Sequence, residues 1–384
     1  MAENYDIVIG GGGPVGSALA LGLRDGRHRV AVLEARPRDA GGATGDARMI
    51  ALSHGSRLIL ERLGAWQSLT GITPIHSITV TQQRRFGRVE LSAADAGVPA
   101  LGYVAGYGAL QRALSAALTA GAVDILAGCT VREYTGDAHH ASVTAECGGA
   151  PRHFDARLAV LADGAAGPQV AHVEERDYRQ SALVCDVISE ALHQNRAFER
   201  FTPHGPLALL PAHRGWSLVW TMRPERAREV AALDDAHFCA ELRGAFGGQL
   251  GAFSAPGARQ VFPLKLKYAR RPIAPRVMLV GNAAQSLHPV AGQGFNLGLR
   301  DAWELASAVG DAIDPGATAT LNAYFSERRL DRTATILFTD TLIRLFSNDI
   351  PLADRMSGAV FALLNSAPPV KNFLVRRMMF GTRG

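Results

Sequence analysis

Three clusters of small residues hold the chemistry that this 384-residue chain can do. The first is Gly11-Gly12-Gly13-Pro14-Val15-Gly16, preceded by an apolar, β-branched run at 5–9 and followed by an Ala- and Leu-rich stretch at 14–25. Gly11 permits a tight turn, Gly13 lets backbone approach a pyrophosphate, and Gly16 lets a helix pack on a strand. The helix start would point free amides at the phosphate. Glu34 closes the next buried run, at 29–33, and stands 18 residues after Gly16, where it can accept hydrogen bonds from a ribose hydroxyl. Strand, turn, helix, strand and acid in that order make a dinucleotide site the expectation. The pattern does not separate NAD from FAD, and a purely structural turn is the alternative.

The second cluster, Leu161-Ala162-Asp163-Gly164-Ala165-Ala166-Gly167, ends an apolar run with an acid and small residues. They leave backbone free to approach a ligand, although a plain turn has the same composition. The third begins at Gly281-Asn282-Ala283-Ala284-Gln285, after the buried run 277–280, and continues through His288-Pro289-Val290-Ala291-Gly292-Gln293-Gly294-Phe295-Asn296 into a helix. Asn282 is a short polar side chain at a strand end, able to bind a ribityl hydroxyl. Gly292 and Gly294 let backbone lie against a flat ring. The helix that starts there directs partial positive charge outward. A flavin gathers negative charge at N1 and C2=O when reduced, so that dipole would act on charge present only during turnover.

These clusters need a frame. The runs 5–9, 14–25 and 29–33 form a βαβ unit and predict a parallel sheet. A second helix is expected within 46–64 and a third over 108–120, where Leu110, Leu114 and Leu118 repeat every fourth residue. Residues 123–160 read as a small β-meander, 158–162 as a buried strand, and 176–270 as a mostly antiparallel insertion with one helix near 234–246. Residues 277–280 return to a buried parallel strand. The remainder is helical, punctuated at Pro315, Pro351 and Pro368-Pro369.

Composition bounds the rest. With 47% hydrophobic and 20% charged residues the chain is globular, not disordered or coiled-coil. The net charge of +5 is carried almost wholly by arginine and gives no reason to expect nucleic acid. No run of about 18 apolar residues predicts a membrane span, and Glu3 and Asp6 argue against a signal peptide. A cytoplasmic location is expected, peripheral to the inner membrane face at most. Cys129, Cys147, Cys185 and Cys239 lie far apart and contain no C-x-x-C, so no disulfide framework, zinc ribbon or dithiol redox centre is expected, and a reducing compartment is. The twelve histidines show no metal-ligand spacing, and no metal is expected.

Taken together, Gly11-x-Gly13-x-x-Gly16, Asp163-Gly164 and Gly281-Asn282…Pro289-x-x-Gly292-x-Gly294-x-Asn296 resemble the group A flavoprotein aromatic hydroxylases, which share the p-hydroxybenzoate hydroxylase fold. Asp46-Ala47-Arg48, Gln111-Arg112-Ala113-Leu114, Glu199-Arg200-Phe201-Thr202, the segment 205–211 and Asn282-Ala283-Ala284-Gln285-Ser286-Leu287-His288-Pro289 are similar to the ubiquinone-biosynthesis branch. Within that branch the 282–289 segment is most similar to the 2-polyprenyl-6-methoxyphenol hydroxylases. Asn282 stands where the group commonly has Asp, which alters charge near the ribityl chain but keeps a hydrogen bond available.

The resemblance implies an α/β fold: a Rossmann-like FAD-binding domain (1–75, 101–175 and 270–325), an inserted, mostly antiparallel substrate domain (76–100 and 176–269) and a helical C-terminal region (326–384). It also implies FAD contacts. Gly11, Gly13 and Gly16 would meet the pyrophosphate. Glu34, with Arg36 beside it, would hold the adenosine ribose. Arg48 would lie near the pyrophosphate or the ring, and Gln111 near the ribityl chain. Asp163 and Gly164 would support the flavin and the approach of nicotinamide. Gly281, Asn282, Pro289, Gly292, Gly294 and Asn296 would line the ribityl chain and isoalloxazine. The implied reaction is hydroxylation of an apolar phenolic substrate by O2 through a flavin C4a-hydroperoxide. NAD(P)H would be a transient donor, or another protein would supply electrons, since no second G-x-G-x-x-G is present. The alternatives are a reductase on the same fold and a flavin-binding scaffold that does no redox work.

Some residues divide between chemistry and structure. His288 could touch substrate or ring, or could simply bond the start of the helix. Trp216 and Trp220 face one side of a strand and read as core. Phe201, Leu207, Leu209 and Pro211 fall where an apolar pocket is expected. The basic and apolar tail 370–380 reads as a helix docked on the protein, with contact to a membrane surface or a biosynthetic complex as the sharper alternative.

Overall fold

The computed structural model describes residues 2–37, 48–83, 88–119, 123–164, 170–213, 215–289, 292–346 and 368–381. Asp46, Ala47, Ala165, Ala166, Gly167, Val290, Ala291 and Pro351 therefore lie outside the described residues. The chain opens with β1 (Glu3–Gly10), α1 (Pro14–Leu23), β2 (Val30–Glu34), β3 (Met49–Ser53), α2 (His54–Arg62), β4 (Thr73–Ile75), β5 (Ser77–Gln82), β6 (Arg88–Ser92) and α3 (Ala93–Ala96). It continues through β7 (Gly102–Gly106), α4 (Tyr107–Thr119), β8 (Asp124–Ala127), β9 (Cys129–Gly136), β10 (Ala141–Cys147), β11 (Ala150–Leu161) and β12 (Val173–Ser189). Then come β13 (Arg196–Thr202), β14 (Gly205–Ala212), β15 (Gly215–Met222), α5 (Pro224–Ala232), α6 (Asp235–Phe246), β16 (Phe253–Ser254) and β17 (Gln260–Ala269). The last elements are β18 (Ile273–Ala274), β19 (Val277–Leu279), β20 (Gln285–Ser286), α7 (Gln293–Val309), α8 (Thr318–Phe346) and α9 (Pro368–Phe380).

The first sheet is parallel in the order β19-β11-β1-β2-β8, with β18 antiparallel on one edge and β10 and β9 returning from β11 as a meander. Its strands are continuous apolar runs because both faces are covered. Ile7, Ile9, Val30, Val32, Leu158 and Val160 face α1, α4 and α7. Val8, Ala31, Leu33, Ala159 and Leu161 face the meander, through Tyr134, Val143 and Phe154. The second sheet, β20-β17-β12-β15-β14-β13-β5-β6 with β16 beside β12, is antiparallel except where β13 runs parallel to β5. One of its faces buries Leu207, Leu209, Trp216, Leu218 and Trp220 under Phe238, Leu242 and Phe246 of α6. Both tryptophans are core, as their spacing predicts. The other face is left to the site.

Three features depart from expectation. The helix expected within 46–64 is α2; what was not expected is the strand before it, β3, which forms because it pairs with β7 across some fifty residues of chain. A second helix, α5, precedes the one expected in the insertion. Cys129 and Cys147 are joined by a disulfide, because the β9–β10 register sets them directly opposite each other. Cys185 and Cys239 remain thiols, and burial pushes the Cys185 thiol up to about 12.

α7 and α8 are tied by charge as well as by apolar packing. Arg328 Nη2 donates to Asp301 Oδ1 at 2.7 Å, and its Nη1 to Asp331 Oδ2 at 2.7 Å and Glu304 Oε1 at 3.2 Å. Arg300 Nε donates to Asp331 Oδ2 at 3.0 Å. Burial alone would raise the Asp331 carboxyl, but Arg300 and Arg328 outweigh it and hold it below its ordinary value. Arg328 is the shared partner of three carboxylates, so its removal strands buried negative charge. Arg328→Met should lower unfolding stability by about 3–5 kcal/mol, read as a shift of the urea midpoint at unchanged slope.

Candidate active site

The first sheet delivers its strand ends to one place. Gly11 N donates to Leu33 O at 2.8 Å, Ala162 N to Gly10 O at 2.8 Å and Val280 N to Leu161 O at 2.9 Å, so β1, β2, β11 and β19 end level with one another. Beyond them lies a cavity of about 870 Å³, a size suited to a large ligand. Gly11, Gly13, Glu34, Arg36, Arg48, Asp163, Gly281, Asn282, Pro289, Gly292 and Gly294 all line it, together with His288.

Backbone approach makes this floor. Gly11 has φ +103°, and a Cβ there would lie 2.7 Å from Asp163 N. Gly281, at φ +58°, would put a Cβ 3.0 Å from Val15 Cγ1. Gly13 is the opposite case: nothing lies within 4 Å of its Cβ position, so its bare backbone opens on the cavity. α1 starts beside it with no side chain capping its amides, and α7 starts at Gly292 in the same uncapped state. Two helix starts thus face one cavity, each able to bind anionic or electron-rich groups. The open glycine cradle, the uncapped amides and the acid at the end of β2 fit an FAD laid across the strand ends.

Around the cradle the side chains hold one another. Glu34 Oε2 accepts from Gly12 N at 2.8 Å, while Oε1 accepts from Arg36 N and Nε at 3.0 and 2.7 Å. Burial would raise the Glu34 carboxyl; its bonds to Arg36 and Gly12 outweigh this and hold it low, hence charged. The Arg48 guanidinium sits over the rings of Tyr107, at 5.1 Å, and Phe262, at 5.8 Å. His288 is buried, edge-on to Tyr178 at 5.5 Å, and burial lowers its imidazole to about 3.

Four expected contact residues stand behind the wall. Gly16 packs α1 on the turn, since a Cβ there would lie 1.9 Å from Gly11 O. Gln111 Nε2 donates to Gly12 O at 2.8 Å from beneath. Gly164, at φ +79°, backs onto Asn282. Asn296 accepts from Ser53 N at 2.8 Å and Ser56 Oγ at 2.6 Å, and donates to Ala51 O at 2.9 Å and Gly292 O at 2.7 Å. It clamps the start of α7 to β3.

The opposite wall comes from the second sheet and is apolar: Ile78, Val80, Val89, Leu91, Phe201, Ala208, Leu210 and Val219, closed by Phe338, Leu342 and Met378. Of Phe201, Leu207, Leu209 and Pro211, some of which were expected here, Leu207 and Leu209 point to the helices; the pocket takes the alternate positions Ala208 and Leu210. Phe201 does reach the wall. One residue on it was not singled out as a site residue: Glu199, whose only signal was its place in the 199–202 motif. It opens on the cavity, and burial raises its carboxyl to about 7.

The family described as FAD binding domain matches residues 4–339. Ubiquinone hydroxylase UbiL of Rhodospirillum rubrum is 36% identical, over 97% of this chain and 89% of its own. The 3-demethoxyubiquinol 3-hydroxylase of Escherichia coli is 32% identical, over 90% of this chain and 91% of its own. Among solved structures, p-nitrophenol 4-monooxygenase PnpA from Pseudomonas putida superposes with a TM-score of 0.80 at 19% identity, covering the whole of both chains.

Two predictions follow from the geometry. Gly11→Ala forces a side chain into left-handed backbone and against Asp163, so the purified variant should emerge without FAD, read from its visible absorbance, while far-ultraviolet circular dichroism stays native. His288 is neutral when folded down to about pH 3 but titrates near its ordinary 6.5 when unfolded. The unfolded state therefore binds the extra proton between these values, and stability falls as pH drops through that window. His288→Gln should flatten that part of the stability curve, measured by denaturant titration at stepped pH.

Proposed function

The chain belongs to the FAD-binding domain family, and we propose from this that it is the FAD-dependent monooxygenase that hydroxylates a polyprenyl-phenol intermediate of ubiquinone biosynthesis. The observation that carries the reading is a single cavity with two unlike halves. One half is glycine backbone, helix amides and Glu34; the other is an apolar sheet face. FAD bound in the first half supplies the redox chemistry, activating O2 for transfer of one oxygen atom to the ring. The protein's residues do the rest. The Gly11–Gly13 turn and the start of α1 hold the pyrophosphate, and Glu34 holds the ribose. Asn282 and the backbone at Gly292 and Gly294 hold the ribityl chain and the ring. The apolar wall excludes water and lays a phenol against the ring.

In this reading residues 1–75, 101–175 and 270–325 bind FAD, 76–100 and 176–269 shape the substrate half, and 326–384 close it. β5 and β6 pairing beside β13 supports the grouping of 76–100 with the second sheet. The electron donor is NAD(P)H, transiently bound near Asp163. Phe338, Leu342 and Met378 at the apolar end suit a prenyl chain. α9 docks on the body through Val375 and Met379, while Val370 and Phe373 are exposed, which supports a peripheral contact at the inner membrane face. Among the described residues no helix is long and apolar enough to cross a membrane.

The test is isotopic. FAD-loaded protein, NADPH, ¹⁸O2 and a 2-prenyl-6-methoxyphenol should yield a product carrying one ¹⁸O by mass spectrometry. NADPH oxidation with only unlabelled phenol recovered would favour a reductase, and an inert flavin would favour a scaffold.

A further inference from the structure

We propose that Glu199 is the general base of the hydroxylation, accepting the proton of the substrate's phenolic hydroxyl as the ring is attacked. The inference rests on the hydroxylase reading above and adds a catalytic residue to it.

β13 alternates, so Ala197, Glu199 and Phe201 share the face that looks into the cavity. Among the described residues of the apolar wall, Glu199 is the single acid. Its lateral neighbours in the sheet are Val80 on β5 and Ala208 on β14, both of them wall residues. β14 and β15 bring no ionisable side chain. On β6 the residues that face inward are Val89 and Leu91, with Arg88 and Glu90 on the outer side. Arg200, next along the strand, turns away to Ala245 O and Thr81 Oγ1 at 3.1 and 3.2 Å. The other ionisable residues that line the cavity are His288, Arg48, Tyr107, Asp163, Glu34 and Arg36. None of the described residues bonds or pairs with the Glu199 carboxylate. A carboxylate in a wall built to repel water, with no protein partner, is expensive to maintain, and a phenolic O–H is the donor that would satisfy it.

The chemistry balances without any further reagent. The O–H bond breaks, the proton moves to a Glu199 oxygen, and the electron pair remains on the substrate oxygen. The ring becomes more electron-rich and so more open to an electrophilic oxygen atom. The proton leaves for solvent when the product is released. Burial alone raises the Glu199 carboxyl to about 7, which places it where a base is both ionised and strong enough to act. His288, neutral down to about 3, does not titrate in the same range.

The experiment compares wild-type and Glu199→Gln holoenzyme on two phenols, a 2-prenyl-6-methoxyphenol and a ring-fluorinated analogue already ionised at the assay pH. Glutamine keeps the shape but cannot take a proton. FAD content and the binding constant for the phenol, read from the flavin absorbance change, should hold close to wild type. kcat on the methoxyphenol should fall by about 10²–10³-fold, and the acidic limb of the rate profile near pH 7 should vanish. The ionised analogue should recover most of the rate. Equal kcat on the methoxyphenol, or an equal loss on both phenols, overturns the assignment of Glu199 while leaving the hydroxylase reading intact. Wild-type protein that oxygenates neither phenol overturns that reading and this inference with it.

Discussion

Everything in this molecule is arranged around backbone touching backbone at the ends of three parallel strands. Gly11 lies against the Asp163 backbone and Gly298, on α7, against the Gly281 backbone, while Gly281 lies against the Val15 side chain. A single Cβ at the first of these would sit inside van der Waals contact and in a backbone region closed to L residues. The constraint dictates what surrounds it. Strand ends can meet this closely only if the strands are held level, and they are level because the sheet is buried on both faces with its ladder complete through Gly10, Leu161 and Val280. The outcome is a floor without side chains, open at Gly13, onto which a flat or phosphorylated ligand can settle.

A second device places the far end of that floor. α7 begins at Gly292, and its first turn would be free to shift were it held by apolar contacts alone. Asn296 bonds it to β3, and deeper along the helix Asp301 joins Arg328 and Gln285. Arg332 completes the link, with Nε donating to Gln285 Oε1 at 2.5 Å and Nη2 to Ala284 O at 3.0 Å. Buried ion networks of this kind gain little over apolar packing, because the desolvation of each charge offsets the attraction. What they supply is register: the long helix α8 grips both α7 and the residues just after Asn282. Geometry, more than net stability, is what this network adds.

Local signals made much of this legible from residues alone. The β1–α1–β2 unit, Glu34 and the Gly292–Gly294 helix start could be read because a glycine turn between an apolar run and a helix is a short-range pattern. What escaped was non-local. β3, just ahead of the helix expected within 46–64, carries no local strand signal and forms through its pairing with β7. Cys129 and Cys147 are distant in sequence, and only the register of a hairpin brings them together. Which of Phe201, Leu207, Leu209 and Pro211 line the pocket was not legible, because which strand face meets the cavity is settled by helices elsewhere in the chain. For the same reason Gln111 and Asn296 were expected on the wall and stand one layer behind it, holding the backbone that forms it.

Burial acts on two ionisable groups that line the cavity in opposite senses with one result. It lowers the base His288 to about 3 and raises the acid Glu199 to about 7, in each case disfavouring the charged form. Near neutrality the imidazole carries no charge and the carboxyl is balanced between its two forms, so the charge of the apolar half is set by whether Glu199 holds its proton. At the flat end of the cradle the uncapped start of α7 and Arg48 both contribute positive potential. Low dielectric lengthens the reach of that field, and no fixed anion on the apolar wall cancels it when Glu199 is protonated. A redox ring seated there is favoured in its electron-rich state, while the wall opposite can still accept one proton. That asymmetry, set by which strand faces were left without helices, is what suits this cavity to adding oxygen to a phenol.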